Sequence, residues 1–136
     1  MIDQAEQEIV LQIARDYFLQ ELGSEQKAEE ALGKLAAMVQ QDGAKLVHIG
    51  NVLFLVIVRG KGVVEVHTIG NEANPRDLAQ DFVDLVKYLK NINTKTAYTY
   101  SEDNRFARLA KMTGLPVVQK KAKVNGKDVN VYIMEF

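Results

Sequence analysis

Apolar residues recur every three or four positions along the first third of the chain. Ile2, Ala5, Ile9, Ile13, Tyr17 and Leu22 predict a helix over 3–22 that Gly23 ends. Ser24 can cap a second helix, with Ala28, Leu32, Leu35, Ala36 and Val39 on one face and Gly43 as its stop. From residue 44 the period shortens. Segments 44–49, 52–58 and 63–68 are rich in β-branched residues and are separated by Gly50-Asn51 and by Arg59 to Gly62, which predicts a three-stranded meander. The middle strand, VLFLVIV, has no polar face and is expected to be buried on both sides. Asn74-Pro75, a capping residue followed by proline at the first helical position, opens a helix over 75–90 with the apolar stripe Leu78, Phe82, Leu85, Val86 and Leu89. A strand over 95–100 follows, then a short helix that starts at Ser101, Glu102 and Asp103 and stops at Gly114. Two last strands, near 117–124 and 128–135, flank Asn125-Gly126, a strong short-range hairpin signal. The pattern predicts an α+β fold in the order α-α-β-β-β-α-β-α-β-β, with a mixed, mostly antiparallel sheet flanked by helices. It is expected to form a single domain over 1–136, helical in 1–43 and sheet-forming in 44–136.

The stretch Arg59-Gly60-Lys61-Gly62 has the look of a phosphate-cradling glycine loop. Such a loop works when a helix begins beside it and aims free amides at the anion. Here Val-Val-Glu-Val-His-Thr follows, a strand sequence, so the expectation is a hairpin turn. Composition narrows the picture further. Seventeen basic and eighteen acidic residues leave a net charge of -1, which gives no bulk electrostatic case for nucleic acid. No cysteine occurs, excluding disulfides, thiolate metal sites and a cysteine nucleophile. Charged residues throughout the first twenty positions argue against a signal peptide, and no apolar run reaches the ~18 residues of a membrane helix. These features predict a soluble, cytoplasmic protein with no membrane partner. Lys120, Lys121, Lys123 and Lys127 on the last hairpin read as a solvated edge that discourages strand pairing.

The segment SEDNRFARLAKMTGLPV carries a resemblance. Asn104, Ala107 and the Gly114-Leu115 ending are similar to the late motif of the GNAT family of N-acetyltransferases, and the element order over 44–136 resembles that family without its first strand. The resemblance implies an acyl-CoA N-acyltransferase-like fold that binds acetyl-CoA and transfers its acetyl group to an amine acceptor. It makes 63–68 the strand whose backbone, including Val66 and Thr68, holds the pantetheine arm. It makes 95–100 the strand that splays away, and it sets the pyrophosphate at the start of helix 75–90, near Gly70, Asn71 and Arg76. Asn104 belongs to the late motif. Glu65 would be the general base, acting through water. Glu65 and His67 share one sheet face, and Tyr98 and Tyr100 can face the same cleft. Both histidines, His48 and His67, are otherwise expected to be partly buried strand residues with local partners.

Two departures keep a second implication open. The family's glycine loop is replaced by TIGNEANPRD, and Ala110 stands where the family's usual tyrosine falls. Asn74 as cap and Asp77 in the first turn would partly satisfy the helix end themselves. The NRFARLAKMTGL to VNGKDVNVYIMEF run is similar to small acetyltransferase-like proteins of tailed phages. That likeness implies a non-catalytic protein associated with virion or assembly partners. An uncovered sheet edge implies a further expectation, homo-oligomerisation.

Overall fold

The computed structural model describes residues 4–41, 43–70, 74–102 and 105–136. Helices α1 (Gln4–Leu22) and α2 (Glu25–Gln40) precede strands β1 (Ala44–Ile49), β2 (Val52–Gly60) and β3 (Val63–Ile69). Then come α3 (Pro75–Asn91), β4 (Thr96–Ser101), α4 (Arg105–Thr113), β5 (Val118–Val124) and β6 (Lys127–Glu135). This is the predicted order. Boundaries shift at two places: β2 runs on through Arg59 and Gly60, and Ser101 ends β4 rather than starting α4, because it stays in the ladder opposite Asn130. Asp103 lies outside the described residues.

The strands form one six-stranded sheet in the order β1-β2-β3-β4-β6-β5. Every neighbouring pair is antiparallel except β3 and β4, which the crossover through α3 makes parallel. The hairpin expectations hold. The β2–β3 connection is the two-residue turn Lys61-Gly62, entered through a register shift between Val58 and Gly60. Asn125 and Gly126 both take positive φ, 52° and 79°, as a tight hairpin of this kind requires.

Alternation along β2 divides its side chains between two apolar layers. Val52, Phe54 and Val56 join Val64 and Val66 of β3 against Phe82, Leu85 and Leu89 of α3. Leu53, Leu55 and Ile57 join Ile69 against Ala14 of α1 and Leu35 of α2. Residues 52–57 are therefore buried on both faces as the run predicted, whereas Val58 is exposed where the register breaks. The fold thus has helices on both sheet faces, α1 and α2 on one and α3 and α4 on the other. Among the described residues, no helix is long and apolar enough to cross a membrane.

The parallel pair is short. Val63, Val64 and Glu65 pair with Thr96, Ala97 and Tyr98, and the ladder then ends. Beyond it, β3 continues to Ile69 on its β2 side and β4 continues to Ser101 on its β6 side. The two strands separate, and the sheet opens as a wedge with Glu65 and Tyr98 at its apex. Four rings brace the α3/α4 side of this opening. Phe54 of β2, Phe82 of α3, Phe106 of α4 and Tyr132 of β6 stand in sequence at centroid distances of 4.9, 5.1 and 4.7 Å. The first two contacts are edge-to-face, a favourable arrangement for aromatic quadrupoles.

Candidate active-site cleft

A cleft of about 780 Å3 runs through the wedge and reaches both sheet faces. Such a volume lies within the range of small-molecule sites. On the α3/α4 side its walls include Thr68, Thr99, Pro75, Leu78 and Phe82, with Arg108 of α4 beside them. On the α1/α2 side they include Tyr17, Phe18, Lys34 and Leu35, with His67 and Tyr100 on the strands. Strand alternation explains the division: His67 shares its face with Glu65, and Thr68 shares its face with Val66. Where β3 and β4 part, strand backbone lines a cleft instead of a neighbouring strand. A ligand carrying amides can add there as a short extra strand.

At the apex three side chains converge on one carboxylate. Glu65 is buried. Its Oε1 accepts from Arg59 Nε at 3.1 Å and from the Tyr98 hydroxyl at 3.0 Å, while Oε2 is hydrogen-bonded to His67 Nε2. His67 also packs edge-on against Tyr100, with centroids 5.4 Å apart. Burial pushes the Glu65 carboxyl upward. The hydrogen bonds from His67 and Arg59, the adjacent His67 charge and the Tyr98 hydroxyl outweigh that effect and hold it below its ordinary value of 4.5. Burial and the Glu65 carboxylate together push the Tyr98 phenol up, so it remains a donor. An ionised carboxylate only accepts, so in the neutral ring the hydrogen sits on Nε2 and the Nδ1 lone pair is left on the cleft-lining imidazole.

The sign of this shift gives a stability prediction. A carboxyl with a lowered folded value stabilises the fold fully above the ordinary value and loses that contribution as pH falls through the lowered one. Glu65→Gln should therefore reduce stability by about 2 kcal/mol at neutral pH. The deficit should shrink as the medium is acidified below 4.5. Urea unfolding of both proteins across pH checks this, and a deficit that grows on acidification contradicts it.

The other expected site residues are dispersed. Thr68 lines the cleft. Val66 is buried and borders a separate space of about 60 Å3 beneath α3 and α4. Gly70 follows β3 with φ +148°, and a Cβ there would stand 2.9 Å from Val52 Cγ1 and 3.1 Å from Val52 Cα. Close approach to β2 accounts for this glycine before any ligand is considered. Arg76 is exposed on the first turn of α3 and is not part of the cleft wall. Asn71 and Asn104 lie outside the described residues.

The expected cap at the α3 N-terminus is present. Asn74 Oδ1 accepts from the Arg76 amide at 3.0 Å, and the Asn74 carbonyl accepts from the Leu78 amide at 3.1 Å. Pro75 has no amide hydrogen to offer. Much of the anion-binding capacity of this helix end is thus already engaged. The nearby cation on the cleft wall is instead Arg108, which composition and motif reading passed over. Its signal was present in the sequence, one residue before Leu109 and four before Met112, both of which also line the cleft. His67, set aside as a strand residue, is the cleft-facing member of the apex cluster. Ala110 is buried, so α4 offers no phenol at that position. His48 behaves as expected, half-buried on β1 with Nδ1 3.8 Å from Glu6. Among the described residues, no three His, Cys, Asp or Glu side chains gather as a metal site.

A sheet that splays after three parallel pairs, with helices in this order around it, matches a known architecture. The fold is that of the GNAT acetyltransferases. A probable acetyltransferase from Staphylococcus epidermidis superposes with a TM-score of 0.65 over 98% of this chain and 95% of that one, at 9% identity. A GNAT-family acetyltransferase from Elizabethkingia anophelis, solved with acetyl-CoA bound, gives 0.60 over 91% of both chains at 14% identity. A spermidine N-acetyltransferase from Vibrio cholerae gives 0.60 over 82% of this chain and 76% of that one, at 14% identity. No protein-family model and no curated protein matches the sequence. The likeness to the GNAT fold is thus one of backbone architecture.

Proposed function

We propose that this chain is an N-acyltransferase that takes an acetyl group from acetyl-CoA and gives it to an amine. The observation that carries the reading is the wedge: β3 and β4 part after Glu65 and Tyr98, and the cleft between them connects the two sheet faces. The residues present fit such a cofactor. The separated backbone of β3, Val66 to Thr68, would hold the pantetheine amides, and Arg108 would meet phosphate, with Gly70 and Arg76 toward that end. When bound, acetyl-CoA supplies a thioester whose acyl carbon forms a new bond to the amine nitrogen as its bond to sulfur breaks.

The proton inventory falls to the apex cluster. His67 takes the proton of the attacking amine at Nδ1, and Glu65 holds the ring by accepting from Nε2 and stabilises the imidazolium that results. Glu65 is thus a positioning residue. Tyr100, on the cleft wall beside His67, returns a proton to the departing sulfur. The expected measurement is saturable binding of acetyl-CoA by calorimetry with a submillimolar Kd. No heat at millimolar acetyl-CoA would remove this reading.

Two observations favour a second reading, a non-catalytic structural or interaction protein on the same fold, such as one serving phage virion assembly. The Arg76 and Leu78 amides of α3 are already engaged by Asn74, and no phenol occupies position 110. On that reading purified protein transfers no acetyl group to any small amine and co-purifies with assembly partners.

A further inference from the structure

The α1/α2 side of the cleft bears on which amine is used, an inference that rests on the acyl-transfer reading above. Tyr17 and Phe18 stand edge to face with centroids 5.5 Å apart, and Leu35 and Met38 of α2 continue the same apolar wall. Lys34 is the charged side chain on that wall, and Arg108 is the one across the cleft. Among the described residues, no aspartate or glutamate lines this space. Glu65, at the apex, already accepts from Arg59, Tyr98 and His67.

A polyamine acceptor would bring ammonium groups besides the one that reacts. Each would shed water next to Lys34 and Arg108 with no carboxylate among the described lining residues to offset it, which is unfavourable. An apolar body would instead shed water against two aromatic rings and two aliphatic side chains, and a carboxylate would find Lys34. We propose that the acceptor is a primary amine on an apolar or aromatic body that also bears a carboxylate, the chemistry of an apolar amino acid. Lys34 binds the carboxylate, Tyr17, Phe18, Leu35 and Met38 enclose the body, and the amine meets His67.

Release of free CoA thiol from acetyl-CoA, followed with phenylalanine, phenethylamine and spermidine, tests this. Phenylalanine should give a kcat/KM about tenfold above phenethylamine, the value of one charge-assisted contact. Spermidine should be the poorest of the three. Lys34→Ala should bring the phenylalanine-to-phenethylamine ratio close to one, and Lys34→Arg should restore it. Spermidine as the best acceptor, a ratio that Lys34→Ala leaves unmoved, or no turnover of any of the three overturns the acceptor class. Calorimetry with acetyl-CoA on the same preparation separates the two claims. Binding with the wrong amine order rejects this inference alone, whereas absence of binding rejects the acyl-transfer reading and this inference with it.

Discussion

Replacing His67 by alanine should lower acetyl transfer by about 10²- to 10⁴-fold, the usual contribution of a positioned general base. The affinity for acetyl-CoA should stay near that of the parent protein, because the pantetheine arm is assigned to backbone and the phosphates to Arg108. The reason to look at His67 rather than Glu65 is geometric. Glu65 is buried and does not line the cleft, and donors from Arg59, Tyr98 and His67 occupy both of its oxygens. A carboxylate stabilised in this way is a weak proton acceptor. His67 lines the cleft and donates Nε2–H to that carboxylate, leaving Nδ1 for an amine proton. Glu65→Gln therefore has a different signature. It should cause a smaller loss of rate and shift the pH profile, since the imidazolium formed in the reaction loses its neighbouring charge. Steady-state rates with saturating acetyl-CoA distinguish the two. An alanine variant as active as the parent removes His67 from the chemistry. A Glu65→Gln variant that is more impaired than His67→Ala returns the base to Glu65.

Much of the frame was legible because it depends on local rules. Ser24 and Asn74 cap α2 and α3 through their side chains as their positions suggest. VLFLVI, residues 52–57, is buried on both faces, and Lys61-Gly62 turns a hairpin rather than cradling a phosphate. The apex cluster was half legible. The two-residue spacing places Glu65 and His67 on one face, but which of them meets the cleft depends on where the parallel ladder stops and on the reach of Arg59 around a bulge. Neither is encoded in spacing. Gly70 shows the opposite difficulty. A glycine between a strand and a helix suggests anion binding, while its φ and its approach to Val52 give it a packing reason that only tertiary structure reveals. Lys34 and the Tyr17–Phe18 pair escaped a motif-based reading because helices α1 and α2 reach the cleft only through packing against the sheet.

Phe82→Ala should destabilise the protein by about 3–5 kcal/mol, the range for deleting a buried phenylalanine side chain. That is a large share of the ~5–15 kcal/mol that holds a typical domain together. Phe82 is buried and is the second member of the ring series, in edge contact with both Phe54 and Phe106. Its removal breaks the brace across the separated strands at the point where no β3–β4 ladder compensates. Phe82 also borders both the main cleft and the 60 Å3 space under α3 and α4, so alanine joins the two. Phe82→Leu keeps most of the volume but loses the two ring contacts, and should cost about 1–3 kcal/mol. Urea unfolding should show a lower midpoint with an unchanged slope for the leucine variant, the mark of lost stability without a changed end state. Acetyl-CoA affinity, measured where both variants are folded, should fall further for alanine than for leucine, because only alanine empties the cleft wall that Phe82 forms. A Phe82→Ala protein with the parent's midpoint would show that the wedge is held open by the strands alone.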